Sequence, residues 1–169
     1  MIAVHTPVAG NLRLLLMISR TTVELERIAD LTIDIDHCAQ GLLKENPLKP
    51  MIDLPRMAEI SMEMLRKAID AFVDGSIEKA LAVVKMDDMV DHLNDQIVRE
   101  LMTYVMGDPR NINRVLGLIL ISRAVERIAD HAVNIAENVV YMVKGEDIRH
   151  IKAAAEPVAH QDGDQQVKI

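Results

Sequence analysis

The sequence predicts an all-α protein, an antiparallel bundle of long helices, from three observations. Hydrophobic residues make up 50% of the 169 residues but aromatic residues only 2%. The core must therefore be aliphatic, with the 11 Met contributing, and such a composition favours helices over sheets. The seven Gly and six Pro fall mostly at the edges of periodic segments, where they end helices. Finally, one pentapeptide with helical spacing occurs twice.

The first predicted helix covers residues 11–44, because no Gly or Pro interrupts this stretch before Gly41. At about 1.5 Å per residue, the stretch before Gly41 is already a rod of roughly 45 Å. Residues 1–10 are predicted to be extended, since the Pro and Gly in them oppose a helix. The three prolines within residues 45–55 then mark a connection.

Three further helices follow, each delimited by capping or turn signals. Gly75 ends one helix and Ser76 can cap the next. The run 107–109, Gly-Asp-Pro, predicts a tight turn, and Gly145 ends the last helix. The predicted helices are 51–73, 76–106 and 110–144.

The last three helices, joined by short turns, predict a complete antiparallel three-helix repeat over residues 51–150. The helix at 11–44 repeats the last of them, so residues 1–50 are predicted to be the remnant of a first repeat. Its many apolar residues cannot face water, so it must dock on the intact bundle or on another chain. The polar residues 151–169 are predicted to form a flexible tail.

The repeated pentapeptide is Glu-Arg-Ile-Ala-Asp, at 26–30 and again 100 residues later at 126–130. Its two acids are four residues apart and lie on one face of a helix. The first copy continues to Asp34, and the second to Asn134 and Glu137. Each helix thus carries a stripe of side chains suited to metal binding. The candidate ligands from the two copies are Glu26, Asp30, Asp34, Glu126 and Asp130.

The third helix carries a second acidic stripe, Asp87, Asp91 and Asp95, again at four-residue spacing. Like charges at this spacing repel by a few tenths of a kcal/mol per pair, which suggests a cation beside them. With the turn near residue 107, neighbouring residues of the two helices should have numbers that sum to about 215. Asp87 and Asp91 then stand at nearly the same height as Glu126 and Asp130, and an oxygen-rich metal site is predicted in a partly open groove. The alternative is that these acids are solvated surface charges.

The histidines and the single cysteine add little to this prediction. His37 lies on the first stripe and could be a nitrogen ligand, whereas His92 and His131 are rotated about 100° off their stripes and are not predicted to bind metal. Cys38 has no second Cys to form a site or a disulfide.

Several functional classes are disfavoured by composition and motifs. A net charge of −7 without a basic run disfavours nucleic-acid binding. No signal peptide or membrane-spanning run is recognisable, so a cytoplasmic location is predicted, with membrane contact only through partners. No nucleophile motif or Gly-rich phosphate loop is present, and the Glu-x-x-His pairs of di-iron bundles are missing. An enzyme is therefore not predicted.

Two stretches carry a resemblance to a known family. Residues 108–150, which include DPRNINRVLGLILISRAVERIADHAVNIAENVV, closely resemble the last helix of the PhoU family, the phosphate-uptake regulators that accompany the Pst phosphate transporter. Residues 7–13 and 26–30 resemble part of the family's first repeat. The resemblance covers most of residues 4–150.

The resemblance implies a PhoU-like antiparallel helical bundle of two three-helix repeats, cytoplasmic and homodimeric. It implies metal sites at acid-x-x-x-Asp motifs, for iron or zinc most often and for other divalent ions such as Mg or Mn. It also implies negative regulation: when phosphate is plentiful, such proteins restrain the phosphate ABC transporter and keep a sensor histidine kinase in its repressing state.

Carried over by position, the family's metal motifs fall on Asp87 and Asp91, with Asp95 one turn on, and on Glu126 and Asp130 in the second repeat. In the first repeat they fall on Glu26 and Asp30, extended by Asp34. Family members usually have about two more helices at the N-terminus, so a misassigned start or a true short form is expected. The alternatives are a carboxylate-bridged metalloenzyme and a metal-free helical dimerisation adaptor.

Overall fold

The computed structural model describes residues 9–146. They form four α-helices and one short 3-10 turn, and these elements are α1 (Ala9–Leu42), α2 (Asp53–Asp74), α3 (Ile77–Gly107), the 3-10 turn (Pro109–Asn111) and α4 (Ile112–Lys144). The predicted all-α bundle is confirmed, and no β-strand occurs between residues 9 and 146. Residues 1–8 and the predicted flexible tail, 151–169, lie outside the described part.

The predicted helix boundaries need correction by one or two residues. The first helix begins at Ala9, so residues 9 and 10 are not extended. Gly10 lies in the first turn, outside the helix interior in which a glycine costs roughly 0.5–1 kcal/mol relative to Ala. The helix ends at Leu42 rather than at residue 44.

The start of the last helix was also placed too early, because residues 110 and 111 belong to the 3-10 turn. Asp108 causes this: one of its carboxylate oxygens accepts a hydrogen bond from the backbone N–H of Arg110 at 3.0 Å. This is the side-chain capping expected of Asp at a turn. The glycine stops were predicted correctly, since Gly75 and Gly145 end α2 and α4 with φ of 61° and 77°, in the left-handed region that favours Gly.

The centre of the bundle is α4, which packs against each of the other three helices. It is buried around most of its circumference between Ser122 and Val140. The first helix packs mainly on α4, with Met17, Ile28 and Leu31 buried against the bundle, and its outer side remains exposed. Within residues 9–146, no helix combines the length and apolar character needed to cross a bilayer.

An apolar groove of about 770 Å³ runs between α1, α2 and α4. Ile28 and Ile128, the central residues of the two pentapeptides, both line it. At one end α1 closes on α4, because Gly117 has no side chain: a Cβ there would meet Leu42 Cδ2 at 3.1 Å. The predicted docking of the first helix on the intact bundle is therefore observed.

Candidate functional site

The seam between α3 and α4 is fixed by a buried polar pair. The hydroxyl of Ser122 donates a hydrogen bond to Asn94 Oδ1 at 2.6 Å, and both side chains are buried. The two residue numbers sum to 216, which agrees with the expected register. The pair extends to the predicted site, because Asn94 is also hydrogen-bonded to the Glu126 carboxylate.

The acids predicted along this seam differ in their surroundings. Asp87 is buried, with 8% of its surface exposed, whereas Asp91, Asp95 and Asp130 are exposed and Glu126 is half-buried. Asp95 Oδ2 lies 3.7 Å from Arg99 Nη2, with both side chains open to solvent, so this ion pair contributes little. The stripe on α3 thus runs from the core at Asp87 to the solvent at Asp91 and Asp95.

Glu126 is the electrostatic centre of the seam. Burial raises the pKa of its carboxyl group above the ordinary value of 4.5, and the hydrogen bond from Asn94 opposes this shift. Repulsion from Asp130 raises the pKa, attraction to Arg123 lowers it, and repulsion from Asp95 raises it again. Acids of both helices therefore act on one carboxylate across the seam.

The side chains of this seam have the chemistry of a metal site but do not form a finished one. Carboxylate oxygens suit Mg²⁺ and Mn²⁺, and also bind zinc and iron, and mutual repulsion among acids favours a cation. In the part of the chain that the structure describes, however, no three His, Cys, Asp or Glu side chains are grouped closely enough to hold an ion. Binding would require at least three of these acids to come closer together.

The acids of the first copy lie in a different setting. Glu26, Asp30 and Asp34 are all exposed on α1. His37, the possible nitrogen ligand, is exposed as well. The side of α1 that packs against the bundle carries Ile28 and Leu31 instead.

A second polar cluster joins α1 to α4. His131 Nδ1 lies 2.6 Å from Glu24 Oε2, and the amide of Asn134 donates to the same oxygen at 3.2 Å. The side chains of His131 and Glu24 are only 10% and 14% exposed, so the contact is largely shielded from solvent. Beside it lies a cleft of about 370 Å³, lined partly by Glu137 and Arg20.

The sequence analysis predicted neither the Ser122–Asn94 pair nor the Glu24–His131 contact, although each has a signal in the sequence. Glu24 precedes the buried Ile28 by four residues, so an acid on the apolar face of α1 indicates a buried partner. Likewise Ser122 precedes Glu126 by four residues, and Asn94 follows Asp87 by seven. Both polar residues thus continue the acidic stripes along their helices.

Comparison with known proteins places these features in a family context. The PhoU domain model matches residues 54–139, just over half of the chain. The chain is 40% identical over 151 residues to the phosphate-specific transport system accessory protein PhoU homolog of Pseudomonas aeruginosa, covering 89% of this chain and 62% of that protein. It is 38% identical over 150 residues to the phosphate-specific transport system accessory protein PhoU of Escherichia coli, with the same coverage.

The fold is also similar to that of a solved protein. The crystal structure of PhoU from Pseudomonas aeruginosa matches with a TM-score of 0.82 at 38% identity, over 86% of this chain and 70% of that one. The chain spans about 62% of the length of the two relatives named above.

Proposed function

Because the chain belongs to the PhoU family, we propose that it is an accessory regulator of phosphate transport that lowers phosphate uptake and phosphate-starvation signalling when phosphate is plentiful. The observation that carries this proposal is the match of sequence and fold together, 40% identity to a transport accessory protein and a TM-score of 0.82. Its proposed partners are a phosphate ABC transporter, a sensor histidine kinase and a second copy of the chain. Its proposed location is the cytoplasm.

The proposed role is regulatory rather than catalytic. Two buried side chains of types that serve in nucleophilic catalysis are engaged in contacts between helices, since the Ser122 hydroxyl donates to Asn94 and His131 bonds to Glu24. Neither contact joins a nucleophile to a base, because Ser122 bonds to an amide and His131 to a carboxylate. Both contacts instead hold neighbouring helices in register. A rigid bundle of this kind suits a protein that acts by binding partners on its surface.

We extend the proposal to metal binding at the seam of α3 and α4. The ligands would be Asp87, Asp91, Asp95, Glu126 and Asp130, and the ion would be iron or zinc, with Mg or Mn as alternatives. An ion there would neutralise the repulsion that Asp130 and Asp95 exert on Glu126 and would shape a surface for partners. The corresponding set on α1, Glu26, Asp30 and Asp34, stays a prediction.

Phosphate uptake tests the regulatory role. In an Escherichia coli strain that lacks its own PhoU relative, expression of this chain should lower the uptake of radiolabelled phosphate in phosphate-rich medium. An Ala129→Glu variant places a charge at a fully buried position and serves as the unfolded control. Its expression should leave phosphate uptake unchanged. Unchanged uptake with soluble, folded protein present would contradict the proposal.

Metal analysis tests the ion site separately. Asp130→Asn should lower the metal bound per chain in elemental analysis of protein purified with iron, zinc or manganese, because it removes a charged ligand. Asp88→Asn is the matched control, since it removes one exposed acid of α3 beside the stripe and should leave the ratio unchanged. Equal metal content in the two variants would refute the site and leave the regulatory proposal standing.

A further inference from the structure

The cleft beside the Glu24–His131 contact has no part in the proposed metal site. Its volume is about 370 Å³, and only residues of α1 and α4 line it. Its polar lining consists of Ser19, Arg20, Glu24, Asn134, Glu137 and Asn138. Ligand pockets usually measure about 300–1,000 Å³, so this cleft has the size for a small molecule.

The cleft lies on a side of α1 that further helices packed on α1 would leave open. Apart from Glu24, its α1 residues are at positions 19, 20 and 23, which correspond 100 residues later to Ile119, Leu120 and Arg123 of α4. These three residues are half-buried or exposed even though α2 and α3 pack on α4. Two helices that packed on α1 in the same way would therefore not cover the cleft.

Asn138 provides hydrogen-bonding groups that the described structure does not use. The residue is only 8% exposed, and it lines the cleft. No residue between 9 and 146 hydrogen-bonds to its side-chain amide, although buried amides in proteins nearly always have a partner. An amide has two N–H donors and one carbonyl acceptor, so a polar ligand in the cleft would satisfy it.

The buried part of the cleft is acidic. Glu137 is 9% exposed. Glu24 is held in place by two contacts, because its Oε2 lies 2.6 Å from His131 Nδ1 and accepts a hydrogen bond from the Asn134 amide at 3.2 Å. A shielded carboxylate favours a cationic group beside it, because attraction in a region of low dielectric constant is strong.

The rim of the cleft carries the opposite charge. Arg20 is exposed and forms no ion pair with any residue between 9 and 146. The helices α1 and α4 run antiparallel, with Glu24 in contact with residues 131 and 134. Four residues earlier on α1, Arg20 therefore stands level with residues 135–138, which include Glu137. A guanidinium group binds a carboxylate through two parallel hydrogen bonds.

We propose that the cleft binds a small zwitterion, a free α-amino acid. Its carboxylate pairs with Arg20, its ammonium group lies beside Glu137, and the Asn138 amide hydrogen-bonds to it. A free anion such as phosphate fits less well, because two carboxylates line the cleft. A simple amine would leave Arg20 without a partner. The ligand contacts both α1 and α4, so its binding stabilises their packing.

Isothermal titration calorimetry of the whole chain tests the ligand class. The twenty free L-amino acids are titrated one at a time, and at least one should bind with a dissociation constant on the order of 0.1–1 mM. The amine that corresponds to this amino acid without its carboxylate should bind at least about tenfold more weakly. Absence of binding by every amino acid, or equal or tighter binding of the amine or of inorganic phosphate, overturns the proposal.

Substitution of Arg20 tests the site. Arg20→Gln should weaken binding of the amino acid by about tenfold and should make the amino acid and its amine bind equally, because the partner of the carboxylate is lost. Arg66→Gln is the matched control: it removes an exposed Arg from α2, which does not line the cleft, and should change the dissociation constant by less than about twofold. Equal effects of the two variants, or an undiminished preference for the amino acid in Arg20→Gln, overturn the proposal.

This proposal is independent of the phosphate role and of the metal site. Amino-acid binding is measured on the purified chain, whereas phosphate uptake is measured in cells and metal content by elemental analysis. A failure of one of the three proposals leaves the other two standing.

Discussion

The pentapeptide Glu-Arg-Ile-Ala-Asp occurs in two different environments, at 26–30 on α1 and at 126–130 on α4. Ile28 and Ile128 are buried almost equally, at 7% and 8% exposure, and both line the groove between α1, α2 and α4. Ala129 is fully buried, whereas Ala29 is exposed. The isoleucine of the pentapeptide therefore faces the core in both helices. The neighbouring helices determine how many of the other side chains are buried as well.

The acids at the start of each copy show the same difference. Glu126 stands half-buried beside α3, where burial, Asn94 and two acids alter its pKa. Glu26 is exposed on a helix that packs mainly on α4. An identical motif thus gives an electrostatically coupled carboxylate in one helix and a solvated one in the other, which predicts how substitutions at each position should compare.

The largest expected effect is shared by both copies. Ile28→Ala and Ile128→Ala should each lower the free energy of unfolding by about 2–3 kcal/mol, because each removes a buried side chain and leaves a cavity. Both residues line the open groove, so the expected losses of unfolding free energy lie at the low end of the range for such substitutions. Urea unfolding at one fixed protein concentration measures them, and a difference above about 1.5 kcal/mol would break the equivalence of the two isoleucines.

Substitution of the alanine in each pentapeptide should have different effects in the two copies. Ala129→Leu should cost about 1–3 kcal/mol, because the added carbons have no space in a packed core. Ala29→Leu should change the unfolding free energy by less than about 0.5 kcal/mol, as an exposed helical substitution does. The same urea titration checks both, and similar costs would show that α1 is covered as completely as α4.

The smallest effect should come from the acids and should depend on pH. The raised pKa of Glu126 means that the folded state holds this proton more tightly than the unfolded chain, so the charged form costs stability once the pH exceeds the folded pKa. Glu126→Gln should therefore raise the unfolding free energy at pH 7 by on the order of 0.5 kcal/mol. The gain should disappear below pH 4.5, the ordinary value for this carboxyl group.

Glu26→Gln is the matched control for this effect, because it removes the same charge from an exposed position. It should leave the unfolding free energy unchanged at both pH values. Thermal unfolding followed by circular dichroism at pH 4 and pH 7 provides the comparison. An equal gain in stability in the two variants would mean that the gain comes from the lower net charge, which is −7 in the unaltered chain, and not from the α3–α4 seam.

Much of the fold was predictable because helix signals are local. Ser76 and the glycines at 75 and 145 set boundaries that depend only on nearby backbone groups. The register of the last two helices followed from the tight turn after Gly107, and the Ser122–Asn94 hydrogen bond agrees with it. The apolar face of each helix followed from spacing, as Ile28 and Ile128 show.

The sequence by itself determined four helices, their inward faces and the positions of the acids along them. Only the tertiary structure decided that Asn94 bridges Ser122 and Glu126, and that Glu24 contacts His131 whereas Glu26, Asp30 and Asp34 stay in solvent. The physical reason is that spacing fixes the direction of a side chain about its own helix axis. Its partner, burial and pKa depend on which other helix occupies that direction, and residues far away in the chain supply that helix.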